Sequence, residues 1–193
     1  MRPTSVKAPA RPRPRSQPLT IRRGTAADAE ALHALIGTHQ AEGHLLPRSL
    51  DDIRRHAARF IVAETGGVLA ACAELAPLSG SVAEVRSLVV ARDARGKGLA
   101  TRLVDELRRQ AAAAGHETLA AFTHDPRLFV AQRFSIVPHQ WVPEKIARDC
   151  VACPLFRQCG QHAMVLPLNQ IREIVRHGVS RIEATEDRRV RVA

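Results

Sequence analysis

A strand, a tight turn and a glycine-rich helix start follow one another near the middle of this 193-residue chain, and no other segment limits the fold as strongly. The run 83–90 predicts a strand, and the amphipathic stretch 98–114 predicts a long helix. Gly96 and Gly98 stand between them. Without a Cβ they let a ligand approach the backbone, next to helix N–H groups that have no partner within the helix. This arrangement predicts a binding site for a pyrophosphate group at the start of the helix.

Three kinds of phosphate-binding loop differ in where their glycines stand. A P-loop needs Gly, four residues and then Gly-Lys-Ser/Thr, which the segment lacks. A dinucleotide-binding turn needs Gly or Ala where Thr101 stands, and little of the chain remains for further βαβ units. The third kind has the pattern R-x-x-G-x-A, which Arg95, Gly98 and Ala100 match.

The R-x-x-G-x-A segment resembles the acetyl-CoA loop of the GNAT superfamily of N-acetyltransferases. The predicted order of elements over residues 19–168, β-α-α-β-β-β-α-β-α-β, is similar to that of the family as well. The resemblance implies an α/β (α+β) fold with a central mixed, mostly antiparallel sheet flanked by helices. Within this order a hairpin is predicted at Gly66-Gly67, and strands are predicted over 134–142 and 163–168.

Charge and proline content divide the chain into three parts. Of the net charge of +10, seven positive charges lie in residues 1–27, which carry no acidic residue, and a net two more lie in residues 171–193. The body between them is nearly neutral. Because the start is rich in Pro and Arg with little to bury, we predict a disordered tail over 1–18, the acetyltransferase domain over 19–168, and a surface helix and tail over 169–193.

Composition also limits the partners and the compartment. The chain has five Phe, one Trp and no Tyr, so it lacks the stacking aromatics of a nucleic-acid groove and a nucleic-acid partner is not expected. Its basic ends predict a solvated tail instead. It has no run of about 18 apolar residues and no apolar h-region, so neither a membrane partner nor secretion is expected. We therefore expect a cytoplasmic protein whose cysteines are thiols or metal ligands. Edge strands near the C-terminus would allow a homodimer.

By the resemblance, acetyl-CoA is the co-substrate, and two stretches of backbone would hold it. The backbone groups of Leu88, Val89 and Val90 would pair with the pantetheine arm as an added strand does. The segment 128–134 resembles the aromatic helix before the family's sixth strand, although Arg133 stands where the family has glycine, so that turn is expected to differ. The N–H groups expected to bind the pyrophosphate belong to Arg95, Gly96, Lys97, Gly98, Leu99, Ala100 and Thr101.

A glutamate on the predicted fourth strand is the candidate general base. Acetyl transfer needs a neutral amine, since an ammonium ion has no lone pair, and a carboxylate within reach can take the proton. Glu84 matches the strand-four glutamate that serves as base in several GNAT enzymes, and Arg86, two residues later, would face the same side of the strand. The alternative for Glu84 is a solvated charge at a strand end.

The sequence does not assign the general acid. Many GNAT enzymes protonate the leaving thiolate with a Tyr on the helix after strand five, and this chain has no Tyr. His124 is a candidate, with an exposed loop histidine as the alternative. A thiol with a pKa of about 8.5 is a tolerable leaving group at neutral pH, so turnover does not require the acid.

Several segments are similar to the short, stand-alone N-acetylglutamate synthase type of GNAT enzyme. The most specific is D-C-x-x-C-P-x-F-x-x-C at 149–159, and the others are 45–49, 83–88, 142–146 and 163–165. This type implies acetyl transfer to the α-amine of L-glutamate, a small-molecule amino-acid substrate, in arginine biosynthesis. The alternatives are a GNAT enzyme that acts on another small amine or on a protein amine, and a non-catalytic acyl-CoA-binding regulator.

Glutamate carries two carboxylates, which need cationic partners. Arginine binds a carboxylate through two parallel hydrogen bonds, so Arg86, beside Glu84, is the candidate for one of them. Arg48 and Lys145, on loops that flank the same groove in this fold, are candidates for the other. The alternative for each is an ordinary surface cation.

Three cysteines and a histidine follow one another at the spacing C-x2-C-x5-C-x2-H. Four N and S ligands suit tetrahedral zinc, although the gap between the pairs is shorter than in zinc fingers. Reduced thiols that pack or cap the loop are the alternative, so the presence of a metal stays open. A fourth cysteine, Cys72, is predicted to be a core residue of a strand. The residues of the spacing pattern are Cys150, Cys153, Cys159 and His162.

Overall fold

The structure is a computed structural model that describes residues 18–40, 45 and 47–168. The tail predicted over 1–18 lies outside the described residues except for Pro18, and the helix and tail predicted over 169–193 lie wholly outside them. Within the described residues, no helix has both the length and the apolar surface needed to cross a bilayer.

The described residues contain seven strands: β1 (Leu19–Arg23), β2 (Phe60–Thr65), β3 (Val68–Pro77), β4 (Val82–Val90), β5 (Thr118–Thr123), β6 (Ser135–Val137) and β7 (His162–Pro167). They form one sheet in the order β1-β2-β3-β4-β5-β7-β6. Strands β4 and β5 run parallel, and every other neighbouring pair is antiparallel. This confirms the mixed, mostly antiparallel sheet that the sequence predicts.

The helices are α1 (Ala29–Gln40), α2 (Leu50–His56), α3 (Leu99–Ala113), α4 (Arg127–Ala131) and α5 (Pro143–Lys145), which continues into a π turn over Ile146–Cys150. Helix α3 packs on one face of the sheet, and α1 and α2 pack on the other. The sheet is therefore flanked by helices, as the sequence predicts. The apolar stripe predicted for α3 is buried, with each of its four residues at most 3% exposed: Leu99, Leu103, Leu107 and Ala111.

The strand predicted over 134–142 is wrong in its second half. Strand β6 ends at Val137, and a helical turn follows over His139–Trp141. Pro138 explains the end of the strand, because it has no N–H to donate to a neighbouring strand, and its carbonyl accepts a hydrogen bond within the turn at 2.9 Å. Before the strand, Arg133 adopts the left-handed backbone that glycine favours (φ +68°). That turn therefore keeps a glycine-type backbone despite the arginine.

Strand β4 carries a β-bulge that shapes the site described below. The register between β3 and β4 places two residues of β4, Ser87 and Leu88, opposite one residue of β3. Ser87 has a φ of +47°, a conformation that costs a non-glycine residue about 1–2 kcal/mol. On its other edge β4 pairs with β5 only as far as Val85. Among the described strands, residues 86–90 therefore have no neighbour on that edge.

Candidate active site

A groove of 1110 Å³ opens where the pairing of β4 and β5 ends. It is lined by residues 84–88 of β4, by residues 122–125 at the end of β5, and by residues from the segment 145–154. Its lining also includes Arg95 of the glycine-rich loop. The structure thus brings together side chains that the sequence predicts to act in one site, and these are Glu84, Arg86, Arg48, Lys145 and His124.

Helix α3 begins directly after the glycine-rich loop, as the sequence predicts. Gly96 and Gly98 lie in the left-handed region, with φ of +74° and +71°, and apart from the residues next to them in the chain no described residue comes within 4 Å of where their Cβ atoms would be. The N–H of Arg102 donates to the carbonyl of Gly98 at 3.1 Å, which begins the hydrogen-bond pattern of α3. The N–H groups before it form the helix start, where the partial positive charge favours an anion. That this anion is the pyrophosphate of acetyl-CoA stays a prediction.

Glu84 is buried in the wall of the groove and is held by two cations. It is 3% exposed, which does not fit a solvated charge at a strand end. Lys145 Nζ donates to both carboxylate oxygens of Glu84, at 2.8 and 3.0 Å, and Arg86 Nε donates to Oε2 at 2.6 Å. The contact with Arg86 confirms that the two side chains share one face of β4, as their spacing predicts.

A second carboxylate, which the sequence reasoning missed, completes this cluster. Asp149 of the π turn accepts a hydrogen bond from Arg86 Nη2 and forms an ion pair with Lys145 Nζ at 2.9 Å. Burial lowers the pKa of Arg86, but the negative charges of Glu84 and Asp149 outweigh it and raise that pKa above its usual value. Arg86 is therefore a permanent cation shared by two carboxylates. The motif D-C-x-x-C begins with this aspartate, so the sequence does carry a signal for it.

Arg48 lines the groove beside α2 and is bound to carboxylates of its own. Its Nη1 donates to Glu74 at 2.5 Å and to Ser87 Oγ at 3.1 Å, and its Nε and Nη2 donate to Asp52 at 2.9 and 2.6 Å. Glu74 is 2% exposed, so this is a buried ion pair. The sequence reasoning missed Glu74, although a glutamate inside the apolar run of β3 indicates a buried charge that needs a partner.

The cysteines near the groove do not form a metal site within the described residues. Cys153 lines the groove, Cys150 is partly buried and Cys159 is exposed. In the part of the chain that the structure describes, no three His, Cys, Asp or Glu side chains come together as ligands of a metal ion. Burial raises the pKa of the Cys150 thiol above its usual value. Cys72 is fully buried, as predicted for a core residue, and burial raises the pKa of its thiol to about 12.

The fold and the groove agree with a known family of enzymes. Residues 28–134 match the acetyltransferase (GNAT) family. An uncharacterized N-acetyltransferase of Chlorobaculum tepidum, CT2212, is 30% identical over 148 residues, which cover 77% of this chain and 96% of that protein. This chain belongs to the GNAT acetyltransferase family. By that membership it is an N-acetyltransferase.

Two relatives with named substrates match this chain over about a quarter to a third of their own length. The amino-acid acetyltransferase of Ralstonia nicotianae is 34% identical over 104 residues, and the match spans 53% of this chain but 23% of that protein. N-acetylglutamate synthase from Neisseria gonorrhoeae, solved with coenzyme A and N-acetyl-glutamate, is 26% identical with a TM-score of 0.69, over 78% of this chain and 35% of that one. Rv2747 from Mycobacterium tuberculosis, solved with CoA and NLQ, has a TM-score of 0.68 over 77% of this chain and 98% of that one. At 21% identity, this last likeness shows the fold alone.

Proposed function

We propose that this chain transfers the acetyl group of acetyl-CoA to the α-amine of an amino acid, L-glutamate, as N-acetylglutamate synthase does in arginine biosynthesis. The observation that carries the proposal is a buried carboxylate, Glu84, held between two cations, Arg86 and Lys145, in the wall of the groove. A carboxylate suits removal of a proton from an amine, and the cations suit the carboxylates of an amino acid. A polyamine is itself a cation and would meet like charges here. The names of two relatives, the amino-acid acetyltransferase and N-acetylglutamate synthase, support an amino acid as the substrate.

Acetyl-CoA is proposed to lie along the free edge of β4 and to end at the start of α3. Because no strand of the described residues pairs with β4 beyond Val85 on that edge, the backbone of Leu88, Val89 and Val90 can pair with the pantetheine amides as with an added strand. The pyrophosphate would accept hydrogen bonds from the N–H groups of the loop and the first turn of α3, residues 95–101. This orientation brings the thioester toward Glu84, at the other end of the same strand.

In this proposal Glu84 acts on the ammonium group of the bound amino acid. It accepts one proton, directly or through a water molecule, and the neutral amine attacks the thioester carbonyl carbon. The tetrahedral intermediate loses a second proton from its nitrogen to solvent water and collapses by breaking the C–S bond, so the product is a neutral amide and CoA leaves as a thiolate. Because the chain has no Tyr, that thiolate takes its proton from water or from another group such as His124. Arg86 binds one carboxylate of the substrate, and Lys145 and Arg48 are the candidates for the other.

The variant Gly98→Val tests the coenzyme site. It is expected to raise the KM for acetyl-CoA by about tenfold. The reason is that valine adopts a φ of +71° only with strain, so the backbone shifts and the neighbouring N–H groups no longer point at the pyrophosphate. Steady-state kinetics at varied acetyl-CoA measures this. Gly67→Val is the matched control, since Gly67 has a φ of +78° in the hairpin between β2 and β3 and does not line the groove. Equal values of KM in the two variants would contradict the pyrophosphate site.

The substrate is tested by measuring thiol release from acetyl-CoA with each of the twenty amino acids, with spermidine and with a peptide amine. L-glutamate is expected to give the highest kcat/KM. A higher value for spermidine or for the peptide would contradict the proposal. Tight binding of acetyl-CoA without thiol release on any amine would instead make the chain a non-catalytic acyl-CoA-binding protein.

A further inference from the structure

Asp149 places a carboxylate of the protein on the cations that a substrate carboxylate needs. Its Oδ2 atom accepts a hydrogen bond from Arg86 Nη2 and forms an ion pair with Lys145 Nζ at 2.9 Å. Both cations also bind Glu84, so two positive charges are balanced by two negative charges before a substrate enters. An incoming carboxylate therefore has to exchange with one of the carboxylates that already hold this pair of cations.

Glu84 and Asp149 differ in how easily they can be exchanged. The side chain of Glu84 is 4% exposed, and it extends from β4 in the middle of the sheet. The side chain of Asp149 is 32% exposed, and it extends from the single π turn Ile146–Cys150, a helical form that is rare and concentrated at functional sites. Asp149 also lines the groove, so a ligand there reaches it directly. Of the two carboxylates, Asp149 is the one that can move.

We propose that Asp149 occupies the carboxylate position of the substrate in the free enzyme and is displaced when an amino acid binds. This inference rests on the proposed function, because it describes how the same groove selects its substrate. Asp149 therefore competes with the amino acid for Arg86 and Lys145. The apparent affinity for the amino acid is the intrinsic affinity multiplied by the fraction of molecules in which Asp149 has left the two cations. Because one carboxylate replaces another, the exchange leaves neither buried cation unpaired.

The exchange also makes a carboxylate a requirement for the acceptor amine. An amine without a carboxylate cannot displace Asp149, so Asp149 keeps the position on Arg86 and Lys145 that a substrate carboxylate would take next to Glu84. An amino acid offers the two cations a new partner next to the base. Asp149 is in this way a specificity-determining residue that acts against amines of the wrong charge.

The test measures binding without turnover. Glutarate, a dicarboxylate with no amine to acetylate, is titrated into the CoA-saturated wild-type protein and into the CoA-saturated Asp149→Asn variant by isothermal titration calorimetry. Asparagine keeps the shape of the side chain but removes the competing charge, so glutarate is expected to bind about tenfold more tightly to the variant. In steady-state kinetics the KM for L-glutamate should fall, while the KM for acetyl-CoA stays unchanged.

Three further variants separate this role from a general effect of lost charge or lost fold. Asp105→Asn removes an aspartate of α3 that binds Arg108 at 2.8 Å, is 38% exposed and lies outside the groove, so glutarate binding should not change. Asp149→Glu keeps the charge and should resemble the wild-type protein. Asp149→Ala also removes the charge and should show the same tightening, which keeps the test valid if Asp149→Asn does not fold.

Unchanged or weaker glutarate binding in both Asp149→Asn and Asp149→Ala overturns the inference, and weaker binding would mean that Asp149 orients the cations for the ligand. The reaction proposed above fails separately. If L-glutamate releases no thiol in the wild-type protein while glutarate binds Asp149→Asn more tightly, the proposed acetylation of glutamate is wrong and the proposed displacement of Asp149 is supported. If L-glutamate turns over and neither variant binds glutarate more tightly, the reaction stands and the role of Asp149 is wrong.

Discussion

Glu84→Gln is expected to lower kcat by about 100- to 1000-fold, with little change in the KM for acetyl-CoA, because glutamine keeps the size of the side chain but cannot take a proton from the ammonium group. The acidic limb of the pH–rate profile, where a carboxylate base becomes protonated, should disappear in the variant. Steady-state thiol release over the pH range in which both proteins stay folded measures the two effects together.

Glu64→Gln is the matched control for this prediction. Glu64 is also a strand glutamate that binds an arginine, since it accepts from Arg22 Nε at 2.9 Å and from Arg22 Nη2 at 2.6 Å, but it does not line the groove. It should keep the wild-type kcat. Thermal unfolding of both variants separates loss of chemistry from loss of fold. A kcat of Glu84→Gln close to that of the wild-type protein, with an unshifted pH profile, would show that Glu84 is not the base.

Arg48→Met is expected to lower the free energy of unfolding by about 3 kcal/mol, because it leaves Glu74 as an unpaired charge in the interior. Methionine fills part of the volume of the arginine, so the loss reports mainly on the charge. Urea unfolding followed by circular dichroism at neutral pH measures it. Arg48→Met combined with Glu74→Met should recover much of the loss, since apolar side chains often replace a buried ion pair at no cost in stability.

Arg54→Met is the control for this second prediction. Arg54 lies on α2 and pairs with Asp51 at 3.3 Å and with Glu30 at 3.4 Å, but its side chain is 45% exposed. Its removal should change the free energy of unfolding by no more than about 0.5 kcal/mol, as is usual for exposed ion pairs. If Arg48→Met is as stable as Arg54→Met, or if the double variant is no more stable than Arg48→Met alone, then Arg48 does not stabilise the buried charge of Glu74.

The parts of the molecule that could be predicted from the sequence depend on residues close together in the chain. The start of α3 after the glycine-rich loop and the apolar stripe of α3 each follow from a few neighbouring residues. The hairpin at Gly66-Gly67 is of the same kind, and it forms as predicted between β2 and β3. The shared face of Glu84 and Arg86 follows from the alternation of side chains along a strand.

The parts that could not be predicted depend on pairings between distant residues. Lys145 and Glu84 are 61 positions apart, and Arg48 and Glu74 are 26 apart, so no local pattern shows which carboxylate meets which cation. The same holds for Asp149, whose partner Arg86 lies 63 positions before it. The bulge at Ser87 was missed for a different reason, because serine gives no signal for a positive φ.

The extra residue in β4 puts the two halves of that strand out of phase. Ala83 and Val85 pack on the α3 side, and in a strictly alternating strand Val89 would follow them, yet Val89 packs with α1 and α2, and Leu88 and Val90 take the α3 side. Because Ser87 is the extra residue, deleting it would restore strict alternation and would leave Leu88, Val89 and Val90 on the faces that they now occupy. Homologues with and without a residue at position 87 should therefore share the same core contacts along β4 and differ in the local bend of the strand beside the groove.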